Sequence, residues 1–328
     1  MERLHRRTVL RGGAAALGAA AVSPLVGTAA PALAGPAGFP TYQYIGTPFV
    51  KSELIYNPTN ELIFPCVRGV YDKISNYRAR YYLYYAPHDG EGGICLAYGN
   101  SLAGQFTEYP ANPIVRNVWS PHHSVPHVSS PHVFWHAASR RFHLYFHGNN
   151  AQTRLAVSTD GITFTYDRLV LSTADVPGLS ETSYARVFDH TIAGRGSRYV
   201  MVYMGAMGGR RDIFWGWSAD ARNWQFAQTP LINAENDGET DISGPHVLKR
   251  NGTTYVVYHG GSGRMYLTEV GNDFDREVHL GVFHTPRGNA PDNGRSAAPA
   301  FGTDGGVQYM FYEAGRRSAT TIAVARAI

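Results

Sequence analysis

Five ionisable side chains occupy one repeated place in this 328-residue chain. Glu61, His127, Glu181, Asp241 and Arg295 each stand four residues before a proline, or before Ala185 in the third case. Facing carboxyl groups can divide the work of acid and base, an imidazole can do either, and a guanidinium can grip a carboxylate through two parallel hydrogen bonds. Two residues further on come Ile63, Ser129, Ser183, Ser243 and Ala297. Strand alternation puts both sets on one face, with the smaller residues deeper and the ionisable ring nearer an open mouth. The plain alternative is that the five are solvated loop residues at strand starts; convergence in space separates the two readings.

The elements that must carry this ring recur on a period. Aromatic runs end at Tyr85, Phe146, Tyr203, Tyr258 and Tyr312, at intervals of 61, 57, 55 and 54 residues. Each run follows a short segment such as "FPCV", "SPHV" or "GPHV" and precedes a third run such as "RLAVST" or "RMYLTE". Polar turns such as "STDGITFTYD" then lead into a fourth. Five units of four short strands predict an all-β fold, a five-bladed β-propeller of four-stranded antiparallel blades. The chain ends on the third strand of the last unit, so residues 41–56 are expected to supply its fourth strand and close an open sheet edge.

Of the fourteen histidines, His132 and His246 follow the proline of units two and four, while His147 and His259 follow the aromatic runs of the same units. The spacing of a zinc site is absent. Asp and Gly of "STDGITF" are explained by turn chemistry. Cys66 and Cys95 fall on the first and third strands of one sheet, about 10 Å apart, beyond disulfide reach, so two free buried thiols are expected.

Residues 1–34 combine paired Arg6 and Arg7, an Ala/Gly/Leu/Val run and "ALA" at 32–34. This is the pattern of a twin-arginine export signal, which predicts a secreted protein whose domain spans 35–328. Without that segment 25 basic side chains face 24 acidic ones, and no basic patch suggests nucleic acid. Elsewhere nothing approaches the ~18 consecutive apolar residues of a membrane helix. A monomer with no nucleic-acid or membrane partner is expected.

"SSPHVFWHAASRRFHLYFHG" and "ISGPHVLKRNGTTYVVYHGG" resemble blades of the arabinanase-like glycosidases, above all glycoside hydrolase family 43. The resemblance covers nearly all of residues 35–328. It implies a carbohydrate substrate, inverting hydrolysis by carboxylates from different blades, no required cofactor, and room for a structural calcium on the axis. The family's three carboxylate positions read Phe64, Tyr184 and Ser243 here. Phe cannot take a proton from water, and neither Ser nor ordinary Tyr protonates a leaving group well. The ring offers replacements by blade analogy: Glu61 as base, Asp241 as acid, Glu181 as the residue that tunes or orients. Candidate substrate contacts are His127, Arg295, Tyr184, His132, His246 and Trp119, the last for stacking on a sugar face. Two further functions stay open: a lyase for uronic-acid glycans using His127 or Tyr184 with Arg295, and a carbohydrate-binding propeller without turnover.

Overall fold

The structure is a computed structural model that describes residues 35–88 and 90–328; the expected export signal lies outside the described residues. Five four-stranded antiparallel sheets are arranged as blades. Their inner strands are Leu62–Gly69, Val128–His136, Leu179–Ile192, Ile242–Arg250 and Ser296–Asp304. Each inner strand packs against those of the neighbouring blades, and the fifth against the first, so the ring closes. Second strands follow at Tyr81–Pro87, Arg141–Gly148, Ser197–Met207, Thr253–Gly260 and Val307–Ala314. These are the aromatic runs, and the all-β five-bladed expectation holds. Blade five is completed by Tyr42–Gly46, which pairs antiparallel with Thr321–Ala327 in the register Tyr42 to Ala327 and Gly46 to Val324. The pairing strand is shorter than the 41–56 stretch: Lys51–Glu53 forms a 3-10 turn instead.

Alternation of side chains across each strand gives every blade two apolar faces, and the core divides accordingly into five clusters, one at each blade junction. Tyr84 and Leu144 meet between blades one and two, Tyr145 and Met201 between two and three, Val202 and Val256 between three and four. Val257 and Met310 meet between four and five, and Tyr85 and Phe311 close the circle. Burying a side chain of this size stabilises by about 1.5–3 kcal/mol. The Asp-containing turns are local structure: Asp160 Oδ1 accepts the amides of Ile162 and Thr163, and Asp220 Oδ1 those of Arg222 and Asn223. Cys66 and Cys95 are free and buried.

One irregularity repeats in every blade. The ladder between first and second strands slips by a bulge after Ile63, Ser129, Ser183, Ser243 and Ala297. At the slip the backbone turns left-handed, with φ of 53° at Phe64, 55° at Ser130, 60° at Tyr184, 60° at Gly244 and 46° at Ala298. Four of these five are not glycine, and non-glycine residues in this region cost of order 1 kcal/mol or more unless their surroundings hold them. At Gly244 the choice of glycine is doubly required, because an added Cβ would stand 2.9 Å from His259 Nδ1.

Candidate functional site

The bulges bring the start of all five inner strands to one mouth. An unpaired amide at a buried bulge needs an acceptor, and three blades receive theirs from the preceding blade. Glu313 Oε1 accepts from Phe64 N–H at 3.0 Å, His147 Nδ1 from Tyr184 N–H at 3.5 Å, and His259 Nδ1 from Ala298 N–H at 3.3 Å. Each acceptor is the residue directly after its blade's aromatic run. The corresponding residues in the other two blades are Ala86 and Met204, which cannot perform this task. Burial pushes His147 down to about 3 and His259 well below its ordinary range, which keeps the accepting nitrogens unprotonated.

Tyr184 stands at the centre of the mouth. Its ring stacks on Phe64 at 5.4 Å and meets His147 edge-on at 5.4 Å. Burial raises its pKa, and Glu181, Arg211, Glu313 and Arg317 all lie within electrostatic reach of its hydroxyl. A stacked aromatic pair thus occupies the bulge positions of blades one and three.

Around this pair, all five ring residues are drawn into hydrogen-bonded groups that differ in how much proton chemistry they leave open. Glu61, only 5% exposed, accepts at Oε1 from Ser318 N–H (2.8 Å) and at Oε2 from His88 Nδ1 (2.9 Å), and its Oε1 forms an ion pair with Arg317 Nε at 3.0 Å. Burial would raise its pKa, but these donors and the charge of Arg317 overcome that and hold it down to about 2. The carboxylate can only accept, so His88 Nδ1 carries the proton, and Nε2 accepts from Arg317 Nη2 at 2.9 Å. Glu61 is therefore well placed to orient His88 and Arg317 and poorly placed to take a proton from water. Glu181 Oε2 receives Arg211 through Nε (3.1 Å) and Nη2 (2.8 Å), while Oε1 accepts from Ser183 Oγ. Arg295 is engaged by the buried Glu313 at 2.8 Å. Asp241 accepts the Arg211 amide at Oδ1, 3.1 Å. That bond leaves its second oxygen uncommitted by any hydrogen bond among the described residues. His127 Nε2 lies 3.2 Å from Asn150 Oδ1; that oxygen can only accept, so Nε2 carries the proton and Nδ1 is the nitrogen open to exchange. The His127 ring meets His147 edge-on at 5.7 Å, which ties it to the Tyr184 group.

Two of the substrate contacts expected from the sequence, His132 and His246, sit elsewhere, and this corrects their assignment. His132 and His246 lie five residues further along their strands than His127 and Asp241, inside the axis. His132 is fully buried, its Nε2 2.7 Å from the Val187 carbonyl. His246 packs between Phe188 and Phe301. Burial, with Arg68 and Arg186 nearby, pushes both imidazoles well below their ordinary range. Trp119 belongs to a small hairpin, Val118–Trp119 with His123–Ser124, and packs on Tyr166 of the outer strand of blade two. The residues that sequence reasoning passed over are His88, Arg211, Glu313 and Arg317, which lie on second and third strands and on loops. The axis does not suit a calcium ion. That cation needs several oxygen ligands, but the Arg186 guanidinium crosses the axis, and among the described residues no group of three His, Cys, Asp or Glu could hold a metal.

No family model and no curated protein sequence matches this chain. Solved structures do match its fold. A glycoside hydrolase is 14% identical over 88% of this chain and 92% of its own length, with a TM-score of 0.66. An alpha-L-arabinofuranosidase from Lactobacillus brevis is 16% identical over 83% and 92%, with a TM-score of 0.58. An exo-1,5-alpha-L-arabinanase from a bovine ruminal metagenomic library is 8% identical over 84% and 95%, with a TM-score of 0.59. At such identities the likeness defines a class of architecture: the chain shares the five-bladed propeller of arabinanase-type glycoside hydrolases.

Proposed function

We propose that this protein is an exported glycoside hydrolase that cleaves a polysaccharide or oligosaccharide at the mouth of its propeller. The observation that carries the reading is that each ring residue is tied to a group beside Tyr184: Glu181 itself, Glu61 through Arg317, Asp241 through Arg211, Arg295 through Glu313 and His127 through His147. The architecture shared with an arabinanase and an arabinofuranosidase supports a carbohydrate substrate. In this reading Asp241 protonates the leaving oxygen, since its Oδ2 is open to a ligand. Glu181 and Arg211 fix it: Arg211 binds Glu181 through its guanidinium and Asp241 through its amide. His127 Nδ1 takes the proton from the attacking water on the far side, and Glu61 shapes the base side by holding His88 and Arg317. Tyr184, half-buried, offers an apolar face to a sugar, with the buried Phe64 ring stacked against it. The Arg6–Arg7 leader supports export by the twin-arginine route.

A second reading draws on the guanidinium groups of Arg211, Arg295 and Arg317, which all act on the buried His259. They would neutralise the carboxylate of a uronic-acid residue; His127 would then abstract the proton α to that carboxylate, the electron pair forming a double bond as the glycosidic C–O bond breaks and the leaving oxygen takes a proton from Tyr184. Incubation of the full chain with neutral and uronate-containing glycans decides between these. New reducing ends without unsaturation are the expected result. Absorbance of an unsaturated uronate identifies the lyase, and retention on glycan without products identifies a binder; either overturns the hydrolase reading. General acid catalysis contributes ~10²–10⁴ in rate, so Asp241→Asn is expected to lose at least about a hundredfold in kcat. A near-wild-type rate removes Asp241 from the mechanism.

A further inference from the structure

The centre of the propeller holds a guanidinium with no carboxylate partner. Arg186, from the inner strand of blade three, is fully buried and spans the axis. Its Nη2 donates to the carbonyls of Pro65 (3.1 Å) and Ala298 (3.3 Å) in blades one and five, and its Cζ lies 4.2 Å from the Phe64 ring centre. Nε and Nη1 are buried and meet no acceptor among the described residues. Glu313 is the carboxylate within electrostatic reach, but its two oxygens are taken by Phe64 N–H and Arg295.

The surroundings add positive charge and further unspent donors. Arg68 lies within electrostatic reach of Arg186 and donates through Nε to the Val133 carbonyl. Its Nη2 is 3.2 Å from His132 Nε2. That nitrogen already donates to the Val187 carbonyl, so it offers Arg68 no lone pair. A desolvated cation needs a compensating charge as well as acceptors, and water supplies only the acceptors.

We propose that the axis binds a small monovalent inorganic anion, of the size of chloride, against the free Nε and Nη1 donors of Arg186. A guanidinium suits this task because it remains protonated and offers directed N–H groups. The site adjoins the mouth through Phe64, whose ring meets both Arg186 and Tyr184, and takes no part in the proposed hydrolysis. A ligand that binds only the folded state raises its stability in proportion to the logarithm of its concentration above Kd.

Bromide is the probe. Crystals of the full chain grown with sodium bromide should show an anomalous peak within hydrogen-bonding distance of Arg186. Its melting temperature should rise saturably as bromide or chloride replaces gluconate at constant ionic strength. Ordered water alone at those donors, with identical melting in halide and gluconate, would overturn the proposal. Arg186→Gln should abolish the halide dependence, and dependence that survives in this variant would equally count against the site. Should the variant fail to fold, the wild-type diffraction and melting data still decide.

Discussion

At the scale of single residues, the mouth separates side chains that are committed from those that are not. Glu61, Glu181 and Glu313 spend their oxygens on arginines, amides and a histidine, whereas Asp241 keeps one oxygen open. An acid must offer a proton and a base a lone pair, so geometry ranks these carboxylates before any rate is known. The left-handed residues invite a test of their own. Ser130 occupies this conformation with a buried hydroxyl that has no partner. Blade four places glycine at the same point, and glycine adopts it without the steric cost. Ser130→Gly is expected to leave stability unchanged or raise it by about 1 kcal/mol, measured by denaturant unfolding. A loss of that size would show that Ser130 makes a contact the conformational argument misses.

At the scale of elements, the second strand of one blade latches the first strand of the next. His147, His259 and Glu313 are equivalent positions that accept a bulge amide in the following blade. Leaving a buried donor without a partner costs about 1–3 kcal/mol. His259→Leu is therefore expected to destabilise by that amount, while Glu313→Gln, which keeps a carbonyl oxygen for Phe64 N–H, should be milder than Glu313→Leu. Equal losses in the two Glu313 variants would place the effect in the Arg295 ion pair instead. The strand Tyr42–Gly46 covers the edge of Thr321–Ala327. A chain beginning after Gly46 exposes that ladder and is expected to melt lower and aggregate, read by thermal scattering.

How much of this was legible follows from the same elements. The aromatic runs and their period announce five blades, because buried strands cannot hide their composition. The ring four residues before the proline was legible for the same reason, since inner strands repeat most faithfully. The bulge was not: only Gly244 carries the residue type that signals a left-handed backbone, while Phe64 and Tyr184 carry bulky side chains held there by stacking. Arg211 and Arg317 were invisible because they reach the mouth from a third strand and a loop, where the repeat is weakest. The column Ala86, His147, Met204, His259, Glu313 was readable, and its three hydrogen-bonding members mark the latched junctions. His132 and His246 were misplaced because a one-dimensional repeat does not tell the mouth from the axis below it.

At the scale of the whole molecule, buried titratable groups set the pH range of stability. His143 and His147 are pushed down to about 3 by burial. In the unfolded chain they take up protons below about 6.5, so they weaken the fold as pH falls through and below that value. Glu61 and Glu277 are held down to about 2 by hydrogen bonds that outweigh their burial. Their contribution is present above about 4.5 and is lost as pH drops from there toward 2. His279 works in the opposite direction. Burial would lower it, but Asp237 and Glu277 raise it to about 9, so its contribution is full below about 6.5 and lost as pH rises through 9. Melting temperature is expected to peak near pH 6.5, and His279→Gln should flatten the alkaline limb and, by removing a donor that holds Glu277 down, soften the acid limb as well. An unchanged alkaline limb would mean that His279 is not its source.

In the proposed function, the five-blade mouth is a glycan-cleaving site worked by Asp241. It is tested most directly by the initial rate of reducing-end release from an arabinan, xylan and galactan panel, comparing the full chain with its Asp241→Asn variant at equal folded concentration. The account predicts turnover of at least one glycan by the parent chain and a loss of about a hundredfold or more in the variant. Equal rates in the two proteins, or no turnover of any glycan by the parent, would contradict it.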